Sequence, residues 1–274
     1  MNTLQQHAPT DGDRPTVHVD HLDNGAIAVV TLFDPRHANA MSPEMGDAFA
    51  RAIRQLQDER ELRAVIVRGE GKDFSIGGHR EMLIGLGTRN ADEAQLREFM
   101  LAFYDRWLPL LDLAVPVISA LRGQCIGVAP VFACAPDIVI ADESLSLQVT
   151  FAALGLYPGM ALPELLRRKI GPHRAALLMT AGEAVSGREA ERLGLVERCV
   201  RVGELDDETV RVARGIVAAA PETVRLLTKN LRVSRRDLLS ELQANATQQA
   251  RDFRTDEYRK RVANYLPNHY DAAK

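Results

Sequence analysis

Phe74-Ser75-Ile76-Gly77-Gly78-His79-Arg80-Glu81 is the stretch that decides how this chain folds. Ahead of it, Ala64-Val65-Ile66-Val67-Arg68-Gly69 has the unbroken apolar run of a buried strand, followed by a short polar turn. Paired glycines directly after such a strand let the backbone adopt positive φ and approach another group closely. The arrangement recurs downstream. The strand-like Pro116-Val117-Ile118-Ser119-Ala120-Leu121 leads into Arg122-Gly123-Gln124-Cys125-Ile126-Gly127-Val128-Ala129-Pro130. A helix is expected from Ala129, with Pro130 in its first turn, where the missing N–H is harmless. Two backbone N–H donors facing one space, one at a helix start, are the materials of an oxyanion hole.

Outward from these turns, Val17–Val19 and Ala26–Phe33 read as strands joined by Asp23-Asn24-Gly25, a hairpin signal. Ser42-Pro43-Glu44 reads as a helix cap with proline at the first helical position, and Met45, Phe49, Ile53 and Leu56 follow at helical spacing. Strand, helix, strand in that order predicts a parallel sheet and an α/β fold. Residues 91–113 are expected to be helical, with Leu96, Phe99, Met100, Phe103, Trp107 and Leu110 along one side. Further strands are predicted at Asp137–Ala141 and Leu145–Gln148, then mostly helix over residues 160–270. Residues 1–14 read as a loose polar tail.

The 274 residues suffice for a large core, and a formal charge of −3 with interspersed signs offers no attraction for nucleic acid. No apolar run reaches membrane-spanning length and no signal peptide is visible, so the expected setting is the cytoplasm. Cys125, Cys134 and Cys199 lack metal-type spacing and are expected to be free thiols; no metal site is predicted.

Six segments in order resemble the crotonase (enoyl-CoA hydratase/isomerase) superfamily: 35–41, 74–79, 116–142, 155–159, 180–184 and 187–196. The resemblance implies a crotonase-like spiral of ββα turns over residues 15–205, and a helical C-terminal region over 206–274 that builds a homotrimer or hexamer. It implies an acyl thioester substrate, carried on CoA or phosphopantetheine with no other cofactor, whose carbonyl oxygen lies between the N–H groups of Gly78 and Val128. The two glutamates of a hydratase fall at Val131 and Phe151 here. Neither side chain can move a proton, so ordinary hydration lacks its acid and base. A closer resemblance, over 74–84, 151–160 and the Arg251-Asp252-Phe253 region, is to decarboxylases of polyketide β-branching cassettes. These act on 3-methylglutaconyl groups delivered by an acyl carrier protein. This chain departs from that branch at Gly127-Val128-Ala129, where members often keep Gly-Gly-Gly, and at Arg80 and Gln249, where some carry a lysine and a histidine.

The site expected from this reading is catalytic at Gly78, Val128, His79 and Arg80. Arg36, Ala38, Ile76, Val131, Phe151 and Tyr157 are expected to touch substrate. His79 is a candidate proton donor or carboxylate partner, and Arg80 a bidentate carboxylate ligand. Tyr104 and Tyr157 are further candidate acids, Glu164 a candidate replacement carboxylate, and Arg254, Lys260 and Arg261 candidate phosphate contacts. The leading expectation is a lyase that decarboxylates an enoyl thioester. The alternatives are a hydratase, isomerase or thioesterase with a relocated acid/base, and a silent acyl-thioester-binding subunit.

Overall fold

The computed structural model describes Leu4 and residues 14–270, with side chains through residue 264. β1 (Thr16–Leu22) and β2 (Ile27–Phe33) form an antiparallel pair in which Leu22 faces Ile27. Asp23, Asn24 and Gly25 close it with φ of 51°, 56° and 88°. Asn and Gly tolerate this left-handed path better than other residues, which is why the turn lies there. α1 (Pro43–Gln57) begins where predicted, the Ser42 hydroxyl accepting the Met45 N–H at 3.2 Å. It buries Met45, Phe49, Ile53 and Leu56. β3 (Ala64–Gly69) then pairs parallel to β2.

The remaining strands are β4 (Val117–Leu121), β5 (Gln124–Ile126), β6 (Ile138–Asp142), β7 (Ser146–Gln148), β8 (Val185–Ser186) and β9 (Arg198–Val200). Six of them make one sheet in the order β1-β2-β3-β4-β6-β9, parallel except for the first pair. β5, β7 and β8 make a small second sheet beside it. β1, β2 and β3 all lie in the large sheet, after which β4 and β5, β6 and β7, and β8 and β9 divide between the two sheets, the spiral expected of the fold.

The large sheet is buried on both faces, and strand alternation sorts its residues between two cores. Ala28, Val30, Leu32, Val65, Val67 and Val117 face the main core. Ile27, Val29, Ala64, Ile66, Ile118 and Ala120 face the second one. α2 (Arg80–Thr88) and α3 (Glu93–Trp107) follow β3, and α4 (Leu162–Ile170), α5 (Pro172–Ala181) and α6 (Gly187–Leu193) follow β7. α7 (Leu205–Val217) covers the second core with Leu205, Val210 and Ala213. Asp206 at its start pairs with Arg122 and with Arg68, which is buried to 2% exposure. α8 (Pro221–Leu231), α9 (Leu239–Asp252) and α10 (Asp256–Tyr270) complete the chain.

One local expectation is corrected. The helix predicted from Ala129 is a single 3-10 turn, Ala129–Ala133. Pro136 stops it, because the residue before a proline is pushed out of the helical region. α2 starts at Arg80, just past the second glycine of the first turn. The tail expected at 1–14 lies outside the described residues apart from Leu4 and Arg14, and Leu4 is buried in the second core. Cys125, Cys134 and Cys199 are free.

Candidate active site

The two glycine turns lie against each other. Phe74 and Ser75 donate their N–H groups to the carbonyls of Arg122 and Gln124 at 2.9 and 3.0 Å, and Ile126 donates back to Ser75 at 3.1 Å. Gly77 has φ +84°, and a Cβ there would sit 2.4 Å from the Ile126 carbonyl oxygen and 3.3 Å from the Val128 nitrogen. Only glycine fits at that contact. A third segment braces the pair. The Ser75 hydroxyl donates to the Asn39 carbonyl at 2.7 Å and accepts the Gly77 N–H at 3.1 Å. Met41 donates to Gly77 at 2.6 Å and receives the His79 N–H at 3.2 Å. Behind the turns, the Phe74 and Phe132 rings lie 5.3 Å apart, and Phe132 meets Phe49 and Trp107 at 5.7 and 6.2 Å. Burial and ring contacts therefore hold the two turns in one geometry.

Gly78 and Val128 both line a cavity of about 70 Å³. Its near wall is Ile76, Gly78, Ile126, Gly127 and Val128; its far wall is α2, α3 and the end of α9 with Phe253. The lining is almost wholly apolar: Met82, Leu83, Leu86, Met100, Phe103, Phe151, Leu154 and Leu156 face it. Among the lining residues there is no carboxylate, histidine, lysine or arginine. The polar side chains are Gln124, Thr150, Tyr104 and Gln249.

Tyr104 and Gln249 come from α3 and α9 and meet at the far wall. The phenol donates to Gln249 Oε1 at 2.5 Å, and Gln249 Nε2 donates to the Tyr157 carbonyl at 2.8 Å. Burial pushes the Tyr104 phenol well above its ordinary pKa, against a hydrogen bond from the Met160 backbone that favours the phenolate. Met160 and Ala161 are held at φ of 55°, a strained path for non-glycine residues. Three side chains at successive turns of α9 fix that loop: Asn245 accepts the Ala161 N–H at 2.9 Å, Gln249 holds the Tyr157 carbonyl, and Asp252 accepts the Tyr157 N–H at 2.7 Å.

The structure thus brings Gly78, Val128, Ile76 and Phe151 together around one cavity and leaves the other sequence-expected residues off its wall. Val131 is buried in the main core, in the 3-10 turn after Val128, and does not face the cavity. Tyr157 offers only its backbone to the site; its side chain is 42% exposed. Arg36 is exposed in the turn Pro35–His37, and Ala38, at φ 45°, positions Ile76 by accepting its N–H at 3.2 Å. Arg80 opens α2 outside the lining. His79 also stands outside it, its ring edge-on to His37 at 4.8 Å, while His37 Nδ1 lies 3.0 Å from both oxygens of buried Asp34. Burial, then the neighbouring His37, lowers the His79 pKa and keeps the ring neutral near pH 7. Glu164 is bound by Arg167 and Arg168, whose hydrogen bonds hold it down to about 2, and it faces away from the cavity.

The pairing of Tyr104 with Gln249 was not readable from the sequence. A signal existed: each is a polar residue on a buried helical stripe, Tyr104 beside Phe103 and Trp107, Gln249 beside Asn245, Ala246 and Ala250. A polar group buried that way requires a partner.

Residues 23–269 match the model of a family described as enoyl-CoA hydratase/isomerase. A probable enoyl-CoA hydratase of Mycobacterium tuberculosis is 31% identical over 206 residues, covering 74% of this chain and 76% of its own length. One from Bacillus subtilis is 30% identical over 210 residues, covering 75% and 78%. Among solved structures, an enoyl-CoA hydratase from Bacillus halodurans superposes with a TM-score of 0.83 at 22% identity, over 90% of this chain and 99% of that one.

Proposed function

The chain belongs to the enoyl-CoA hydratase/isomerase family, and from that premise we propose that it decarboxylates an enoyl thioester of the 3-methylglutaconyl type, delivered on an acyl carrier protein. The observation that carries this reading is a cavity with two backbone N–H positions, Gly78 and Val128, and no ionisable side chain but a phenol. Hydration would need a carboxylate to take a proton from water and an acid to serve the α-carbon. Decarboxylation needs no base, since the substrate's own C–C bond supplies the electron pair. That pair passes through the conjugated system to the thioester oxygen, where two N–H donors stabilise it. A compact carboxylate is poorly solvated among Leu83, Phe103, Phe151 and Leu154, whereas the dispersed dienolate is less penalised there.

The second reading, an acyl-CoA hydratase or isomerase, is favoured by the names of the relatives. It requires a water to be activated by groups such as Thr150 or Gln124, neither of which is a base at neutral pH. The deciding experiment is intact-protein mass spectrometry of a 3-methylglutaconyl-loaded carrier protein after incubation with the enzyme, with crotonyl-CoA in parallel. Loss of one carbon dioxide from the carrier is expected. Water addition to crotonyl-CoA with an unchanged carrier would replace the proposal with the hydratase reading.

A further inference from the structure

Carbon dioxide loss leaves a dienolate that must be protonated inside a cavity with no carboxylate, histidine or lysine on its wall. We propose that Tyr104 is the catalytic acid that delivers this proton, with Gln249 and the Met160 N–H as the positioning groups around its oxygen. The inference rests on the decarboxylase reading. Among the described residues Tyr104 is the one ionisable side chain lining the cavity, and its hydroxyl is anchored by Gln249. Burial keeps the phenol protonated while it waits, yet a thioester dienolate carbon is far more basic than any phenolate, so the transfer remains downhill.

The surroundings act on the charge the phenol acquires in opposite senses: burial disfavours it, and a backbone hydrogen bond from Met160 favours it. The Met160 N–H is aimed at the phenol oxygen, and the loop that aims it is kept in a strained left-handed path by Asn245, Gln249 and Asp252. Gly159 belongs to the same arrangement: a Cβ there would fall 2.7 Å from the Tyr104 hydroxyl and 3.0 Å from Gln249. In the balanced step the C–C bond to the carboxylate breaks, carbon dioxide leaves and the dienolate forms. The Tyr104 O–H then leaves Gln249 Oε1 and gives its proton to one dienolate carbon, and the phenolate regains a proton from water. The net change is loss of carbon dioxide and gain of one proton. A single acid at a fixed place also selects which carbon is protonated, and so which double-bond isomer is released.

The test is turnover of the 3-methylglutaconyl-loaded carrier in deuterated water by the wild-type enzyme, Tyr104→Phe and Gln249→Leu, with the isomer and deuterium position read by NMR. Thermal melts confirm that each variant is folded. The wild type is expected to give one isomer carrying one deuterium. Tyr104→Phe should still release carbon dioxide, slowed by less than about tenfold, but give a mixture of isomers as water quenches the dienolate. Gln249→Leu should give a smaller loss of isomer purity. A single, unchanged isomer from Tyr104→Phe would overturn the acid assignment while leaving the decarboxylation intact. No carbon dioxide from the wild type would remove the decarboxylation, and the acid assignment with it.

Discussion

The two walls of the cavity are made in different ways. The near wall is backbone: two glycine turns, braced by a short ladder of main-chain hydrogen bonds and by Phe74 against Phe132. The far wall is side chains: Tyr104, Phe103 and Met100 from α3 with Gln249 from α9. Backbone donors survive most changes of sequence around them, because what they need is a path rather than a functional group. Side chains on a second wall can be exchanged one at a time. A fold that keeps its thioester-facing wall and varies the opposite one can hold the same enolate and decide separately what happens to it.

Changes that break the near wall should act most strongly. Phe132→Ala removes the ring that joins Phe74, Phe49 and Trp107 behind the turns. Chemical denaturation should show a loss of about 3–5 kcal/mol. Gly78→Pro deletes one donor N–H; turnover should fall by about 10²–10³-fold, with the substrate bound less affected than the rate. A folded Gly78→Pro enzyme with wild-type turnover would mean that the near wall does not hold the thioester oxygen. The far wall should respond more mildly and in product rather than in rate. Gly159→Ala presses a methyl group against the Tyr104 hydroxyl, which must move. The expected cost is about 1–3 kcal/mol in stability, together with loss of isomer purity like that of Tyr104→Phe.

The smallest effect belongs to neither wall. His79 has a lowered pKa through burial and His37, opposed by Asp34, Glu81 and Glu44. An unfolded His79 therefore binds a proton at a higher pH than the folded one. Stability is full above the unfolded value and declines as pH falls through that value toward the folded one. Denaturation midpoints between about pH 8 and about pH 5 should fall more steeply for the wild type than for His79→Gln. Equal slopes would show that His79 titrates as freely in the folded protein as in the unfolded chain.

The same contrast decides what was legible in the sequence. Asn24-Gly25, Ser42-Pro43 and the two glycine turns announce themselves locally, because turn and cap chemistry acts over three or four residues. The position of Gly77 next to Gly78 already implied a close backbone approach, and the structure supplies its partner, the Ile126 carbonyl. Val131 stands where the resemblance places a hydratase glutamate and was expected to touch substrate. The segment is a 3-10 turn cut short by Pro136, and the Val131 side chain points into the core instead. Tyr104 and Gln249 are 145 residues apart, so their contact depends on how α3 and α9 pack, and each shows locally only as a buried polar group that needs a partner. His79 and Arg80 looked catalytic because they adjoin Gly78, but the start of α2 turns them away from the cavity.

The three polar side chains that α9 sets against the Tyr157–Ala161 loop also impose an order of events on synthesis. All six strands of the large sheet leave the ribosome before Leu239, so the near wall can be complete while the α9 part of the far wall is still missing. Until residue 252 emerges, the strained turn at Met160 has nothing to hold it and the phenol of Tyr104 has no carboxamide to meet. A nascent chain at that stage would bury its sheet and yet offer an apolar trough where the finished enzyme has a cavity walled by α3 and α9. Competence therefore arrives in one late step, when a single helix docks.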